Sequence, residues 1–236
     1  MNTASTTVGT LSTGLVGHWP FDGKYMTPNV RDISGQGNHG NLSGQTSTTT
    51  AQGKLGQALK FDGVDDFVTI GRMASTFEAA TAFTISTWIN MDQVNPGKTF
   101  VSKAHLTNDG NWIYFGTVNN TEDAAGDEVS LYFAGDTRGH TFSNFLKANT
   151  WYHMVAVYDG TQSDNAGRVK IYVDGVSQAL TFNGTFGATS PTETRNVVIG
   201  ATSNGQRFLT GRQDDTRIYS RALTAAEIKQ LYNMGR

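Results

Sequence analysis

The chain has 236 residues, which is enough for one large domain with a substantial core. Only 16% of the residues are charged and the formal net charge is −2, so there is no electrostatic case for binding to nucleic acid or to an anionic membrane. The chain contains no cysteine, which excludes disulfides and thiolate sites, and no run of about 18 apolar residues that would insert into a membrane.

The N-terminal segment, residues 1–13, is rich in Ser, Thr and Gly. It lacks the basic start and the apolar centre of a signal peptide. We expect this segment to be a flexible linker in a larger multidomain protein, with any export signal outside this chain. Because the composition does not break further on, one domain is expected over residues 14–236.

The first strand is predicted at Leu15–Trp19. The loop Asp32–Gly40 follows it, and in this loop three glycines alternate with oxygen-bearing side chains. Such a loop can bend sharply enough to aim several oxygens at a hard cation. A tight surface loop stabilised by Asx-turns fits the same residues, so both interpretations stay open.

The middle of the chain carries strand patterns without helices between them. Phe83–Asn90 alternates apolar and polar residues, which predicts a strand, and Asp174-Gly175 predicts a two-residue hairpin turn. Roughly a dozen strands in this arrangement predict an antiparallel sandwich or barrel. The further predicted strands are Ala58–Phe61, Phe67–Ile70, Thr99–Lys103, Asn111–Thr117, Val129–Ala134, Trp151–Tyr158, Val169–Val173, Val176–Leu180 and Asn196–Gly200.

The C-terminal stretch combines a last strand with a helix. Thr216–Tyr219 has strand character, and Thr224 with Glu227 three residues later forms the pattern of a capping box. A short amphipathic helix is therefore predicted at 225–233. Since it is the one convincing helix of the sequence, we expect it to cover a sheet.

Seven segments, in this order, resemble the laminin-G-like, concanavalin A-like jelly rolls of bacterial surface and polysaccharide-processing proteins. They are Gly14–Gly23, Asp32–Gly40, Gly53–Ile70, Phe83–Asn90, Trp151–Gly160, Val169–Val176 and Gly211–Tyr232. The resemblance implies an all-β fold: a two-sheet antiparallel jelly-roll sandwich with one concave sheet, a short C-terminal helix, and chain ends on neighbouring strands.

The resemblance also implies a structural calcium ion near the chain ends. By position, Asp22 and Asp214 are the best candidate ligands, and Asp32 and Asn38 could complete the oxygen shell that Ca²⁺ requires. A solvated surface pair is the other interpretation of the acidic residues at 214–215. One departure from the family pattern is Gln213, which occupies a position where an apolar, inward-pointing residue is usual.

Catalysis is not predicted from the acidic residues. Retaining glucanases of similar architecture place carboxylates at alternate positions of one strand, about 5–5.5 Å apart. The acidic segment Glu122–Glu128 lacks that alternation and is predicted to be a loop. No catalytic residue is therefore assigned, although a polysaccharide hydrolase or lyase with a non-standard site stays open.

Sugar recognition uses aromatic faces together with polar and charged groups that contact the hydroxyls. Trp112 and Tyr114 lie two apart in one predicted strand and so share a face, although a place in the core fits them equally well. The candidate ligand-binding residues are Lys103, His105, Trp112, Tyr114, Tyr132 and Arg138.

The sequence thus predicts a non-catalytic carbohydrate-binding or adhesion module, secreted or at the cell surface, with a structural calcium ion. Its expected partner is a polysaccharide or another glycan. The alternatives are the enzyme described above and a protein-binding scaffold domain of a surface protein.

Overall fold

The computed structural model describes residues 10–26, 29–44, 50–95, 97–103, 111–118, 128–133, 137–142 and 145–236. Within these residues, two antiparallel sheets of eight strands each enclose a shared apolar core. The predicted all-β sandwich is confirmed. The strands are numbered in chain order.

The first sheet contains both ends of the domain. Its strands are β1 (Leu15–Trp19), β3 (Thr50–Gln52), β4 (Gln57–Asp62), β6 (Ala82–Met91), β11 (Trp151–Asp159), β12 (Val169–Val173), β13 (Val176–Ser177) and β16 (Thr210–Tyr219). They lie in the order β13-β12-β11-β6-β16-β4-β3, and β1 also pairs with β16.

The second sheet contains the remaining strands. They are β2 (Asn41–Ser43), β5 (Phe67–Gly71), β7 (Thr99–Lys103), β8 (Ile113–Val118), β9 (Glu128–Phe133), β10 (Thr137–His140), β14 (Thr181–Asn183) and β15 (Val197–Ile199). They lie in the order β14-β10-β9-β8-β7-β15-β5-β2.

Strand alternation explains which residues form the core. In β6, Phe83, Ile85 and Ile89 belong to the apolar cluster between the sheets and are at most 1% exposed. Ser86 and Trp88 point to the other face of the same strand, because successive side chains alternate across a sheet. Each sheet therefore has an inner face in the core and an outer face turned away from it.

The C-terminal helix α3 (Ala225–Met234) begins as predicted. Thr224 Oγ1 accepts a hydrogen bond from Glu227 N at 3.3 Å, and Glu227 Oε2 accepts one from Thr224 N at 2.9 Å, which confirms the capping box. Two four-residue helices that were not predicted, α1 (Ala74–Phe77) and α2 (Asn165–Arg168), lie in connections between strands.

Helix α3 covers the outer face of the first sheet, as expected. Its Ile228 and Leu231 belong to a second apolar cluster with residues of β11, β12 and β16. Tyr232 stacks on Trp88, with 5.7 Å between ring centroids. The members of the cluster are Val155, Val157, Tyr172, Tyr219, Leu223, Ile228 and Leu231.

The two ends of the domain are neighbours, since β1 pairs with β16 from Leu15 opposite Tyr219 to Trp19 opposite Thr216. The pairing of β16 with β6 is interrupted by a bulge between Asp214 and Arg217. Within it Asp215 has a positive φ of 45°, a conformation that non-glycine residues seldom adopt. Two contacts hold this residue: His18 Nε2 at 2.5 Å and Arg217 at 3.1 Å from its Oδ1.

Gln213 points inward, as its position in the family pattern implied, and it is fully buried. Its Nε2 contacts three acceptors: Thr87 Oγ1 at 3.1 Å, Thr216 Oγ1 at 3.1 Å and Phe100 O at 3.2 Å. A buried amide is tolerated where it is hydrogen-bonded. The polar pair Thr87 and Thr216 thus provides acceptors for the Nε2 of this glutamine, whereas its Oε1 has no hydrogen-bond partner among the described residues.

Several short strands were not predicted, because three or four residues are too few to show a period. They are β2, β3, β10 and β14. The predicted strand Val176–Leu180 extends only to Ser177. The predicted turn is confirmed, with positive φ at Asp174 (52°) and Gly175 (75°).

Among the described residues, no helix has the length and apolar character needed to cross a bilayer.

Candidate functional site

The glycine loop after β1 is organised by Asp32, one of the predicted calcium ligands. Asp32 is 4% exposed and its carboxylate accepts four hydrogen bonds, from His18 N, Ser34 N, Ser34 Oγ and Asn38 N, at 2.8–2.9 Å. Asn38, also predicted as a ligand, donates from Nδ2 to Val16 O at 2.7 Å. These bonds occupy both oxygens of Asp32, so the pair closes the loop in the manner of an Asx-turn.

The other two predicted ligands meet at a single loop, the connection of residues 53–56 between β3 and β4. Asp214 Oδ2 accepts hydrogen bonds from the N–H groups of Lys54 and Leu55, both at 2.8 Å. Asp22 Oδ1 accepts one from Gln57 N, also at 2.8 Å. The β3–β4 loop is therefore held by one carboxylate from each end of the domain.

Asp214 is the electrostatically unusual member of this pair. It is fully buried, and its Oδ1 has no hydrogen-bond partner in the described part of the chain. Burial raises the pKa of Asp214 to about 7, and the neighbouring Asp215 adds to the rise. A Cβ on Gly53 would lie 2.6 Å from Asp214 Oδ2, so the loop approaches the carboxylate as closely as a glycine allows. A buried carboxylate oxygen without a donor fits a bound cation.

A second acidic group lies at the turn from β4 to β5. One carboxylate oxygen from each of Asp62, Asp65 and Asp66 lies within 4.8 Å of the others, and this group could hold a metal ion. Among the described residues it is the one group of three or more acidic or histidine side chains that converges in this way. Asp22, Asp32 and Asp214 are not such a group in the described part of the chain, so the ligand set predicted from the sequence stays a prediction.

No cation site was predicted at the Asp62–Asp66 turn. Asp62 Oδ1 accepts hydrogen bonds from Val64 N at 2.8 Å and Asp65 N at 3.3 Å. These bonds hold the pKa of Asp62 below its usual value, and the bond from Val64 N has the largest effect. The signal in the sequence was three carboxylates within five residues.

The outer face of the second sheet carries most of the predicted sugar-binding residues. Directly paired residues of neighbouring strands lie on the same face, and one row of pairs crosses the whole sheet. Ile113, Phe115 and Leu131 alternate with the row and belong to the core, so the row is on the outer face. Its members are Asn41, Thr69, Val198, Ser102, Tyr114, Tyr132, Arg138 and Asn183.

Three of the predicted binding residues form a contiguous cluster on this face. The rings of Trp112 and Tyr132 meet edge to face, with 4.3 Å between centroids. The Arg138 guanidinium lies 5.9 Å from the centroid of the Tyr132 ring. All three side chains are partly exposed. We call Trp112, Tyr132 and Arg138 the aromatic cluster.

Tyr114 lies in the same row but is fully buried, contrary to the prediction that it contacts ligand. Its hydroxyl is within hydrogen-bond distance of Lys98 O (2.9 Å) and Thr117 O (2.8 Å). Arg207 covers the ring, with the guanidinium 5.4 Å from the centroid. Burial raises the pKa of Tyr114 to about 12. Tyr114 supports the aromatic cluster from the neighbouring strand but presents no ring surface.

Lys103 is also buried, at 1% exposure, and does not reach the outer face. Its ammonium group donates to the backbone oxygens of Arg72 and Arg195 and lies 3.1 Å from Glu78. Burial lowers the pKa of Lys103, and the Glu78 carboxylate opposes that shift. Lys103 was predicted to contact ligand, but its ammonium group is buried and fully engaged in these contacts, which indicates a structural role instead. His105 lies outside the described residues.

Two features of the outer face were missed from the sequence. One is Arg207, which comes from a loop and reaches Tyr114 only through the fold. The other is a cleft of about 320 Å³ further along the row, beyond Ser102. Neither has a local signal, since the cleft is assembled from β5, β15 and the following loop. Its lining residues are Thr69, Arg195, Asn196, Val198 and Ser203.

Carboxylates are scarce in the strands of this sheet. Glu128 is the one acidic residue in its eight strands as described, and it lies 3.1 Å from His140 Nδ1. The rest of the acidic segment, residues 122–127, lies outside the described residues. The paired carboxylates that glycoside hydrolysis requires are therefore not formed by these strands.

A Ser–His pair is present, but it is sealed inside the first sheet. Ser86 Oγ lies 2.9 Å from His153 Nε2, and both residues are 1% exposed. The rings of Trp88 and Tyr232 lie 5.0 and 6.2 Å from the His153 ring centroid. Burial lowers the pKa of His153 to about 3, so the imidazole is neutral at physiological pH. A nucleophile in this position has no path to substrate.

Comparison with protein families places the chain. A family model described as the concanavalin A-like lectin/glucanases superfamily (Laminin_G_3) matches residues 62–229, which is more than half of the chain. The chain belongs to this superfamily. The resemblance inferred from the seven sequence segments is thereby confirmed, and the two-sheet sandwich described above is the fold of its relatives.

Solved structures of this fold include domain 4 of AbnA, a GH43 extracellular arabinanase from Geobacillus stearothermophilus, in complex with arabinotriose. It is 20% identical, with a TM-score of 0.69, and the match covers 92% of this chain and 98% of that one. Trypanosoma rangeli sialidase in complex with the inhibitor DANA is 18% identical (TM-score 0.63), covering 95% of this chain and 33% of the sialidase.

The binding domain of botulinum neurotoxin DC in complex with SialylT is 14% identical, with a TM-score of 0.64. The match covers 95% of this chain and 52% of the toxin chain. This chain thus spans about a third of the sialidase and half of the toxin chain. At these identities the likeness establishes the fold.

The raised pKa of Asp214 predicts a pH dependence of stability in chelator-treated protein. The folded state holds the Asp214 proton up to about pH 7, whereas an aspartate in the unfolded chain loses it near pH 3.8, its ordinary pKa. Between these values the folded state binds more protons, so stability falls as pH rises, by at most about 1.4 kcal/mol per pH unit. Urea unfolding at several pH values, compared with Asp214→Asn, measures this slope.

The variant should lack that component of the slope, because an amide does not ionise. Asp65→Asn, at the exposed turn, controls for the loss of one carboxylate. Parallel pH profiles for the wild type and Asp214→Asn would contradict the expectation.

Proposed function

We propose that this domain is a non-catalytic carbohydrate-binding module, that the outer face of its second sheet binds the glycan, and that a structural calcium ion stabilises it. The module is proposed to act outside the cell as one domain of a larger protein. A neighbour of the same fold, domain 4 of AbnA, is described as belonging to an extracellular arabinanase, and its structure contains arabinotriose.

The observation that carries the proposal is the difference between the two outer faces. On the first sheet, α3 packs over the face and buries its apolar residues. On the second sheet, Trp112 and Tyr132 remain partly exposed, with Arg138 beside them. Partly exposed aromatic rings next to a hydrogen-bond donor suit a pyranose, because the sugar has apolar ring faces and polar hydroxyls.

The proposed lack of catalysis is supported by the composition of this face. In the eight strands as described, Glu128 is the single carboxylate, and it is engaged with His140. Both geometries of glycoside hydrolysis need two carboxyl groups flanking the bond. The arrangement suits binding better than bond cleavage.

The calcium proposal rests on Asp214, with Asp22 as its partner at the β3–β4 loop. The buried Oδ1 of Asp214, which has no hydrogen-bond partner among the described residues, offers an anionic oxygen, and Asp22 brings a second carboxylate to the same loop. Bound there, Ca²⁺ would supply charge compensation and would cross-link the loop to β16. The Asp62–Asp66 turn is the competing location.

The assignment of glycan binding to the outer face of the second sheet predicts the effect of substituting its aromatic residues. Trp112→Ala should lower the affinity for a bound polysaccharide by about five- to a hundredfold, since one stacked aromatic contributes about 1–3 kcal/mol of burial and stacking. Affinity electrophoresis against a set of plant and bacterial polysaccharides measures this change. Tyr132→Ala should act in the same direction.

Trp151→Ala is the matched control, because Trp151 is also partly exposed and has an arginine, Arg212, 5.6 Å from its ring centroid. It lies on the first sheet. Equal losses for Trp112→Ala and Trp151→Ala, or no binding by the wild type to any polysaccharide, would refute the assignment of the face.

The second prediction concerns calcium. Adding CaCl2 to chelator-treated protein should raise the Tm, since a ligand that binds only the folded state stabilises it by mass action. Asp214→Asn should abolish this rise, and Asp65→Asn should retain it. Calorimetric scans of the three proteins provide the measurement.

The reverse pattern would move the ion to the Asp62–Asp66 turn. A wild-type Tm that CaCl2 leaves unchanged would exclude the structural calcium altogether.

A further inference from the structure

The outer face of the second sheet carries two arginines that stand over tyrosine rings. Arg138 is part of β10 and lies over Tyr132, and Arg207 lies over Tyr114. Tyr114 in β8 and Tyr132 in β9 are directly paired, so the two arginines lie over neighbouring strands. Because neighbouring strands are about 4.8 Å apart, β8 and β10 are roughly 10 Å apart, and both guanidinium groups lie on one small part of the face.

Neither arginine forms an ion pair with a carboxylate among the described residues. Other cations bordering this sheet do. Arg195 lies 2.7 Å from Glu193, and Arg72 lies 2.6 Å from Glu78. No carboxylate in the described part of the chain therefore neutralises the charges of Arg138 and Arg207.

Arg138 also has an unsatisfied donor. Its Nε is buried and has no hydrogen-bond partner among the described residues, although the side chain as a whole is partly exposed. The N–H donors on the exposed part of the guanidinium bind a charged acceptor more strongly than a neutral one. Glu128, the one carboxylate on the strands of this sheet, is paired with His140 instead.

The stacking surface and the free charge are adjacent. Trp112 contacts Tyr132 at 4.3 Å between centroids, and Arg138 stands over that same ring at 5.9 Å. A sugar ring stacked on Trp112 would thus carry its substituents toward the guanidinium. A planar guanidinium matches a carboxylate with two parallel hydrogen bonds, whereas a neutral hydroxyl accepts fewer and weaker ones.

We propose that this face selects anionic glycans, with Arg138 as the principal contact to a carboxylate on the sugar and Arg207 as a second cation alongside it. This inference rests on the proposed sugar-binding function and goes beyond it by assigning the chemical class of the ligand. The net charge of the chain, −2, gives no such preference by itself, so the selectivity is local.

The test compares two polymers with the same sugar backbone, polygalacturonate, which carries carboxylates, and its fully methyl-esterified form, in which each carboxylate is replaced by a neutral ester. Isothermal titration calorimetry at low salt should give at least about tenfold tighter binding to the acid form, as expected for a hydrogen bond between charged groups. The advantage should shrink as NaCl is added, because salt screens exposed charges. A sulfated polymer, dextran sulfate, distinguishes carboxylate recognition from general anion binding.

Arg138→Gln should remove most of the preference, because it should lower the affinity for the acid form much more than the affinity for the methyl ester. Arg212→Gln is the matched control, since Arg212 covers Trp151 on the first sheet in a similar way. Arg207→Gln should reduce the preference less. Thermal melts confirm that each variant is folded, and the wild-type preference alone decides the case if a variant is not.

Equal affinity for the acid and ester forms, with loss of both in Trp112→Ala, would overturn this inference and leave the sugar-binding function standing. Binding to dextran sulfate as tight as to polygalacturonate would overturn the carboxylate assignment. No binding to any glycan, charged or neutral, would overturn both the inference and the proposed function.

Discussion

The pairing of β16 with three other strands is the interaction on which the rest of this fold depends. The strand lies between β6 and β4 in its first half and between β6 and β1 in its second. The bulge between Asp214 and Arg217 marks the change from one partner to the next, and such bulges bend and twist a strand locally. The polar contacts of Asp215 with His18 and Arg217 hold that irregular backbone in place.

Two consequences follow from this arrangement. The bulge directs Asp214 into a buried position against the β3–β4 loop, where its Oδ1 has no hydrogen-bond partner among the described residues. It also sends the chain on to α3, which then covers the first sheet. No helix of eight or more residues covers the second sheet in the described part of the chain, and Trp112, Tyr132 and Arg138 remain partly exposed on its outer face. We therefore propose that recognition takes place on the sheet that α3 does not cover.

The sequence predicted those parts of the fold that have a local signal. Alternation over Phe83–Asn90, the capping box at Thr224 and the Asp174-Gly175 turn are each specified by residues close in the chain, and each is confirmed. Burial was harder to predict, because it depends on distant segments. Tyr114 is covered by Arg207, which lies 93 positions later in the chain and carries no pattern that marks it.

The candidate site shows the same limit. The sequence of an oxygen-rich loop such as Asp32–Gly40 is compatible both with a cation site and with an Asx-turn. Only the structure reveals the four hydrogen bonds that occupy the Asp32 carboxylate. Trp112, Tyr132 and Arg138 were each predicted from the sequence as candidate binding residues. Their contact depends on the register of β8, β9 and β10, which no local pattern specifies.

The central claim, that the outer face of the second sheet binds glycan, is tested most directly by the indole resonances. The chain has four tryptophans, which give four side-chain N–H signals in a ¹H–¹⁵N NMR spectrum. On titration with oligogalacturonate and, separately, with arabinotriose, the Trp112 signal should shift with at least the acidic sugar, while the Trp151 signal should stay in place. A shift confined to Trp151, or a Trp112 signal unmoved by both sugars, would contradict it.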